Sequence, residues 1–425
     1  MKKIYELLGV LSVIICISTN VSAARVFTVD KSDSGAYQSI NEALSVIKAL
    51  NQVVPKYDSS NHQVVAVKGN NFIEAIGFSD FVNLVIPGDL FSTDGKIWYE
   101  VIEVPADGKT LILNRPMDHF SEGAILTSYT IIENNIVNIS AGSYYEEIDL
   151  SNIHFVRLIG SGKKVTILHK ENDKGDYISN ENPCSVALNN SSNGTASILI
   201  GMPEFGRIKF ENMSIFSRTG SALIPTGLPI NKTDISLIDI DYDQTFGNDI
   251  LYFTAIPSGK GNIELINSEF RGTGDSLTFQ GVNSVFIDNI KLHARYMPCL
   301  NAWVPAGLRY FNVRNPGKII NSEIIIEGAE RFNSGIAGIK ITDDGYYSKI
   351  PKLEIVKTLI TSANIGPSFI LNGQSQITIN DSKVYTLANS PDAELSGDSS
   401  LMSVCTAGLD NIHSIDNSTS SNICP

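Results

Sequence analysis

A short pattern recurs along the second half of the chain: apolar, any, apolar, any, Asn or Asp, any, any, apolar. It spans Ile208–Ile215 around Asn212, Ile235–Tyr242 around Asp239, Ile263–Phe270 around Asn267 and Val285–Leu292 around Asn289. It returns at Gly317–Ile324 around Asn321 and at Ile377–Val384 around Asp381. Weaker copies stand at Ile148–Phe155, at Leu353–Ile360 with Lys357 in the polar slot, and at Ala407–Ser414. Apolar alternation with period two predicts strands, and the Asn or Asp marks a bend after each. Copies recur roughly every 22 to 36 residues, the interval of a solenoid. A strand this short is not stable alone. Stacked on similar neighbours about 4.8 Å apart, its inward side chains form one continuous core, and an Asn in the same slot of successive coils can bond its neighbours as a ladder. The absence of a 3.6-residue period and the excess of β-branched residues and Gly exclude an α-solenoid. The fold predicted is all-β: a right-handed parallel β-helix over residues 132–387, with 388–425 as a cap or loose tail.

Two other segments are patterned differently. Residues 24–61 open with a strand around Phe27 and continue into an amphipathic helix over Ser39–Leu50, which suits the capping of an open solenoid end. Residues 62–131 hold short apolar runs, Val64–Lys68, Phe81–Ile86, Ile97–Val104 and Thr110–Leu113, broken by Pro-Gly-Asp and Asp-Gly turns. That rhythm predicts a small inserted antiparallel β-module. Its Trp98 and Tyr99 read as core, with sugar stacking as the alternative.

Residues 1–23 read as a secretory signal peptide: Lys2 and Lys3, an apolar run from Leu7 to Ile17, then Val21-Ser22-Ala23. The run is shorter than the ~20 apolar residues of a membrane span, and no later segment reaches that length. The expected location is therefore secreted, cell-surface or periplasmic. Of the 5 Cys, those left after cleavage are Cys184, Cys299, Cys405 and Cys424, which permits disulfides. Cys405 with Cys424 is the sequence-local pairing, and Cys184 with Cys299 requires the fold to bring them together. No Cys/His spacing matches a zinc site, so no metal or other cofactor is expected. A formal net charge of −13 without a basic stripe argues against nucleic-acid binding. It also gives no general attraction to polyanions, which would need a local cationic pocket.

The stretch Phe27–Leu44 resembles the opening of pectin methylesterases and of the wider pectin-lyase-like superfamily. Gly142, Tyr144 and Glu146 match that family's Gly-x-Tyr-x-Glu element, and Ile159-Gly160 matches the turn ending its next strand. The resemblance implies a parallel β-helix that acts on a polysaccharide. The family's machinery is mostly missing. Its Gln-Asp-Thr-Leu motif corresponds here to Gly274-Asp275-Ser276-Leu277, which keeps the Asp and loses the Gln. The second catalytic Asp falls near Tyr296–Leu300 and is absent, as is the Arg motif that follows.

Independently of that family, Asp249 and Asp275 each precede an apolar strand and follow a Gly-containing turn. On adjacent coils the two carboxylates would stand about one strand spacing apart, where like charges raise one pKa and split the pair into acid and base. The structural alternative is that both simply serve their turns. Arg295 and Arg271 are candidate substrate-binding cations, with His293 and Tyr296 nearby, and Tyr252, Phe279 and Trp303 are candidate sugar-stacking rings or core. The expected partner is a polysaccharide or glycan, met by a divergent carbohydrate esterase or hydrolase. The competing class is a non-enzymatic surface or virulence-type solenoid that binds glycans or protein. A phage-type spike shares this architecture, but the leader argues against it.

Overall fold

The computed structural model describes residues 25–50, 57–58, 63–66, 70–78, 80–93, 98–117, 124–132, 134–169, 199–201, 203, 205–219, 232–246, 249–254, 261–273, 275–296, 306–328, 337–343, 350–363, 366–387 and 390–423. The leader, Cys184, Cys299, Trp303 and Cys424 lie outside them. The chain forms two compact units, one of residues 1–26 and 52–136, the other of residues 27–51 and 137–425.

The larger unit is a right-handed parallel β-helix. Each coil carries three strands. The first and second faces merge into one 19-stranded sheet, and the third is a separate sheet of 7 strands among the described residues. A typical coil runs Asn262–Ile266 on the first face, bends at Asn267, and continues as Glu269–Thr273 on the second. It then turns into Asp275–Gln280 on the third. All strand pairs between coils are parallel, with Ile263 opposite Val285, Phe270 opposite Leu292, and Phe279 opposite Tyr310.

The polar slot is the first bend. Asn212, Asp239, Asn267, Asn289, Asn321 and Asp381 adopt φ between 48° and 55°, a left-handed conformation that Asn and Asp tolerate better than other residues with a side chain. Lys357 (φ 49°) and Cys405 (φ 48°) take the same place. The ladder forms in part: Asn289 donates to Asn267 Oδ1 at 2.9 Å, whereas Asn321 reaches Asp288 Oδ1 at 3.0 Å. A second ladder precedes the first-face strands, in which Asn262 donates to Asp234, Asn283 to Asn262 and Asn315 to Asn283, each at 2.7 Å. The residue after the bend is often a buried hydroxyl. Ile240 N–H donates to Ser268 Oγ at 3.0 Å, Ile290 N–H to Ser322 Oγ at 3.2 Å, and Thr358 N–H to Ser382 Oγ at 3.1 Å.

Two expectations about the C-terminal end are corrected. The copy at Ala407–Ser414 is not a bend unit; the corresponding unit is Ser400–Val404 with Cys405 at the bend. Nor does the solenoid give way to a loose tail at 388. Ala393–Leu395, Ser400–Val404, Ile412–Ser414 and Thr419–Ile423 pair in parallel as further coils. The Ser/Asn-rich surface conceals inward Leu395, Leu401 and Leu409, all buried.

At the other end, the helix Ile40–Leu50 buries Ile40, Ala43, Leu44 and Ile47 in the solenoid core. Its first turn is capped from 106 residues away: the Glu146 carboxylate accepts from Ile40 N–H and Asn41 N–H, each at 3.0 Å. A negative charge there also suits the helix dipole. Tyr144, from the same sequence element, is fully buried and donates to Ser140 O at 3.1 Å. Here the residues that carry the family resemblance build the solenoid's capped end.

The smaller unit holds an 8-stranded antiparallel sheet, ordered Tyr57–Asp58, Thr130–Ile132, Leu90–Ser92, Tyr99–Glu103, Thr110–Leu113, Phe72–Ile76, Gln63–Ala66, Ala124–Leu126. It has its own core, which includes Val64, Phe81, Phe91 and Leu111. Trp98 and Tyr99 are buried.

Candidate functional site

On the second face the alternation puts Tyr144, Leu168, Ile215, Tyr242, Phe270 and Leu292 inward, where all are buried. The residue after each of these therefore stands outward. Strand register lines these residues up in one column: Tyr145 opposite His169, His169 opposite Phe216, Phe216 opposite Asp243, Asp243 opposite Arg271, and Arg271 opposite His293. Ile325, Thr361 and Tyr385 continue it.

The column has two halves. In the first, the Tyr145 and His169 rings stack at 4.3 Å between centroids and 12° between planes, and Phe216 meets His169 edge-on at 5.4 Å. Burial, with the Lys31 charge adding to it, holds the His169 imidazole below its ordinary pKa, so it is neutral at neutral pH.

The second half is ionic. The Arg271 guanidinium meets Asp241 Oδ1 at 2.8 Å, Glu269 Oε1 at 3.3 Å and Asp243 Oδ2 at 3.9 Å. Burial pushes the Asp243 carboxyl above the usual carboxylate range; Arg271 opposes the shift, and the charges of Asp241 and Glu269 add to it. On the following coils His293 Nε2 lies 3.2 Å from Glu327 Oε2. Arg295 is exposed and makes no ion pair among the described residues.

Asp249 and Asp275 are direct register partners on adjacent coils of the third face. Each opens its strand at the corner where the second face gives way to the third. Leu251 and Leu277, two residues further along each strand, are buried. Arg295 is in register with Thr273, two residues before Asp275, so the backbone brings these two candidates to neighbouring positions. Tyr252 pairs with Thr278 on the third face.

Two of the candidate binding residues are corrected. Phe279 is fully buried and stacks on Phe253 at 5.8 Å and 2°, so it is core and closed to a sugar. Arg271 is engaged by three carboxylates and is not a free cation for an anionic substrate. Trp303 lies outside the described residues. The aromatic half of the column, and Asp241, Asp243, Glu269 and Glu327, were not singled out from the sequence. The one usable signal was the Gly142–Glu146 element, whose Tyr145 begins the column.

Among the described residues no group of three or more His, Cys, Asp or Glu is arranged to hold a metal ion, and no helix is long and apolar enough to cross a membrane.

No protein-family model and no curated protein matches this sequence. Among solved structures, the A-module of Azotobacter vinelandii mannuronan C-5 epimerase AlgE4 is similar at 11% identity and a TM-score of 0.30, over 68% of this chain and 91% of that one. The catalytic unit of a thermostable GH87 α-1,3-glucanase from Streptomyces thermodiastaticus strain HF3-3 is similar at 9% identity and a TM-score of 0.26, over 87% of this chain and 88% of that one.

Proposed function

We propose that this is an exported parallel β-helix that binds and processes a polysaccharide along the outside of its second face. The observation that carries the proposal is the column from Tyr145 to His293, in which ring side chains run directly into carboxylates and cations on consecutive coils. Coils repeat about every 4.8 Å, close to the length of one sugar unit in an extended glycan, so successive side chains can meet successive sugars. The reaction class is hydrolysis of a glycosidic or ester bond. One carboxyl donates a proton to the leaving oxygen while a carboxylate acts as base or nucleophile. Asp243, which holds its proton more tightly than an ordinary aspartate, suits the acid role. Asp249 and Asp275 are the candidate carboxylates at the adjoining corner, with Arg295 as the cation beside them.

A second reading, a solenoid that binds without turnover, draws support from the closed network around Arg271, where three carboxylates share one guanidinium. One experiment separates the two. The secreted chain is incubated with a polysaccharide panel and read for methanol or acetate release, reducing ends and unsaturated uronates. Product release that is abolished in Asp275→Asn or Asp243→Asn is the expected result. Binding without any product favours the second reading. Full activity in both variants overturns the assignment of these carboxylates.

A further inference from the structure

The charge and ring pattern of the same face narrows its ligand, and this step rests on the polysaccharide reading above. We infer that the face takes an uncharged glycan, whose sugar rings lie over Tyr145, His169 and Phe216. These three side chains occupy one outward position on three consecutive coils and are half-buried. The inward residues beside them, Tyr144, Leu168 and Ile215, already fill the core. The outward rings thus make an apolar strip on the outside of the sheet. Burial keeps His169 uncharged, so the strip carries no charge at neutral pH. Tyr145 and His169 stack on each other along the column, so the strip presents ring edges outward, and an uncharged rim of this kind suits the C–H groups of pyranose rings and offers nothing specific to a carboxylate.

The strip continues into a region whose sign repels a polyanion. Outward positions of the next four coils carry Asp241, Asp243, Glu269, Glu323 and Glu327 against Arg271, Lys291 and Arg295. Arg271 is committed to carboxylates and Lys291 lies 4.0 Å from Glu323. Arg295 is then the one cation of this set without an ion pair among the described residues, too few to hold a polyuronate against five carboxylates and a chain charge of −13. A neutral polymer faces no such cost. It can also accept hydrogen bonds from Arg295 and donate hydroxyls to the acids.

The test is affinity electrophoresis of the full secreted chain through gels containing dextran, mixed-linkage β-glucan or galactomannan, and in parallel polygalacturonate or alginate. At least one neutral polymer should retard the protein, with little change on adding salt. Tyr145→Leu and Phe216→Leu, which keep apolar bulk and remove the ring, should each weaken retardation by roughly tenfold, while circular dichroism melting confirms that they fold. Salt-sensitive retardation by the uronates alone overturns the uncharged class and leaves the polysaccharide reading standing. Retardation by a neutral polymer that both Leu variants retain in full overturns the ring strip. Failure of every polymer to retard the protein, with no product formed from any, overturns the polysaccharide reading itself.

Discussion

Phe253 and Phe279 lie face to face on adjacent coils of the third face, with ring centroids 5.8 Å apart and planes within 2°. Both are essentially fully buried. Parallel in-register pairing forces like positions to stack, so a large ring in one coil demands a partner of matching shape in the next. Phe279→Ala would remove the ring from the middle of that stack and leave a cavity that the flanking coils cannot close without breaking register. A loss of about 3–5 kcal/mol is expected in denaturant unfolding. Phe279→Leu should lose markedly less, and binding to any glycan should be unchanged while the protein remains folded.

The bends were legible from sequence because they rest on a local conformational rule. A single residue at positive φ favours Asn or Asp, and most of the copies supply one. The rule failed at Cys405, where a residue without that preference fills the slot, and the pattern was then misread a few residues later. The outward column was not legible, because it depends on register between residues some 20 to 50 positions apart. Coil lengths vary, and nothing local in Phe216 announces that it stands beside Asp243. For Phe279 the sequence leaves sugar stacking and core both open for the converse reason: a short aromatic strand reads the same whether its ring faces a sugar or, as here, another ring.

Arg271 holds three carboxylates together, one of them, Asp241, nearly buried. Arg271→Met would keep the side-chain stem and leave those charges facing one another. Partial exposure of the guanidinium tempers the effect, and a loss of about 1–3 kcal/mol at neutral pH is expected. The loss should shrink as pH falls and the carboxyls protonate. Equal destabilisation at pH 4 and pH 8 would show that packing, not charge, is the source.

Glu211 and Asp243 should titrate with opposite signs. Burial pushes Glu211 up, but the hydrogen bond and charge of Arg157, at 2.6 Å, and those of Lys209, at 2.7 Å, outweigh it and hold the carboxyl below its ordinary value of 4.5. Its stabilising contribution is therefore present above that value and lost as pH falls through the lower folded one. Asp243 is raised from 3.8, so the folded state favours its protonated form below that value, and this advantage is lost as pH rises through the folded value. Melting curves across pH 3 to 7 should show Glu211→Gln less stable than the parent near neutrality and converging with it in acid. Asp243→Asn should match the parent in acid and equal or exceed it near neutrality. Parallel curves for Glu211→Gln would remove the ion pairs as the cause.

The last strand, Thr419–Ile423, joins the sheet in parallel with Ser400–Val404, with Val404 opposite Ile423. Cys405 N–H continues that pairing by donating to Ile423 O at 3.0 Å. In the sequence Cys424 directly follows Ile423. Cys405 is disulfide-bonded, with its partner outside the described residues. Adjacent parallel strands bring facing Cα atoms within the distance a disulfide spans. Sequence proximity favours Cys405–Cys424, the pairing that also closes the shortest loop. Such a bond would pin the final strand onto the coil before it. Peptide mapping of the unreduced protein should recover the two cysteines in one linked fragment. Reduction, or Cys424→Ser, should lower the stability of the terminal coil by about 3 kcal/mol in the chain-entropy estimate for a loop of this size. That loss should appear as earlier hydrogen exchange at Thr419–Ile423, with the central coils unchanged. A linked fragment that joins Cys405 to Cys184 or Cys299 instead would mean that the final strand is held by its hydrogen bonds alone.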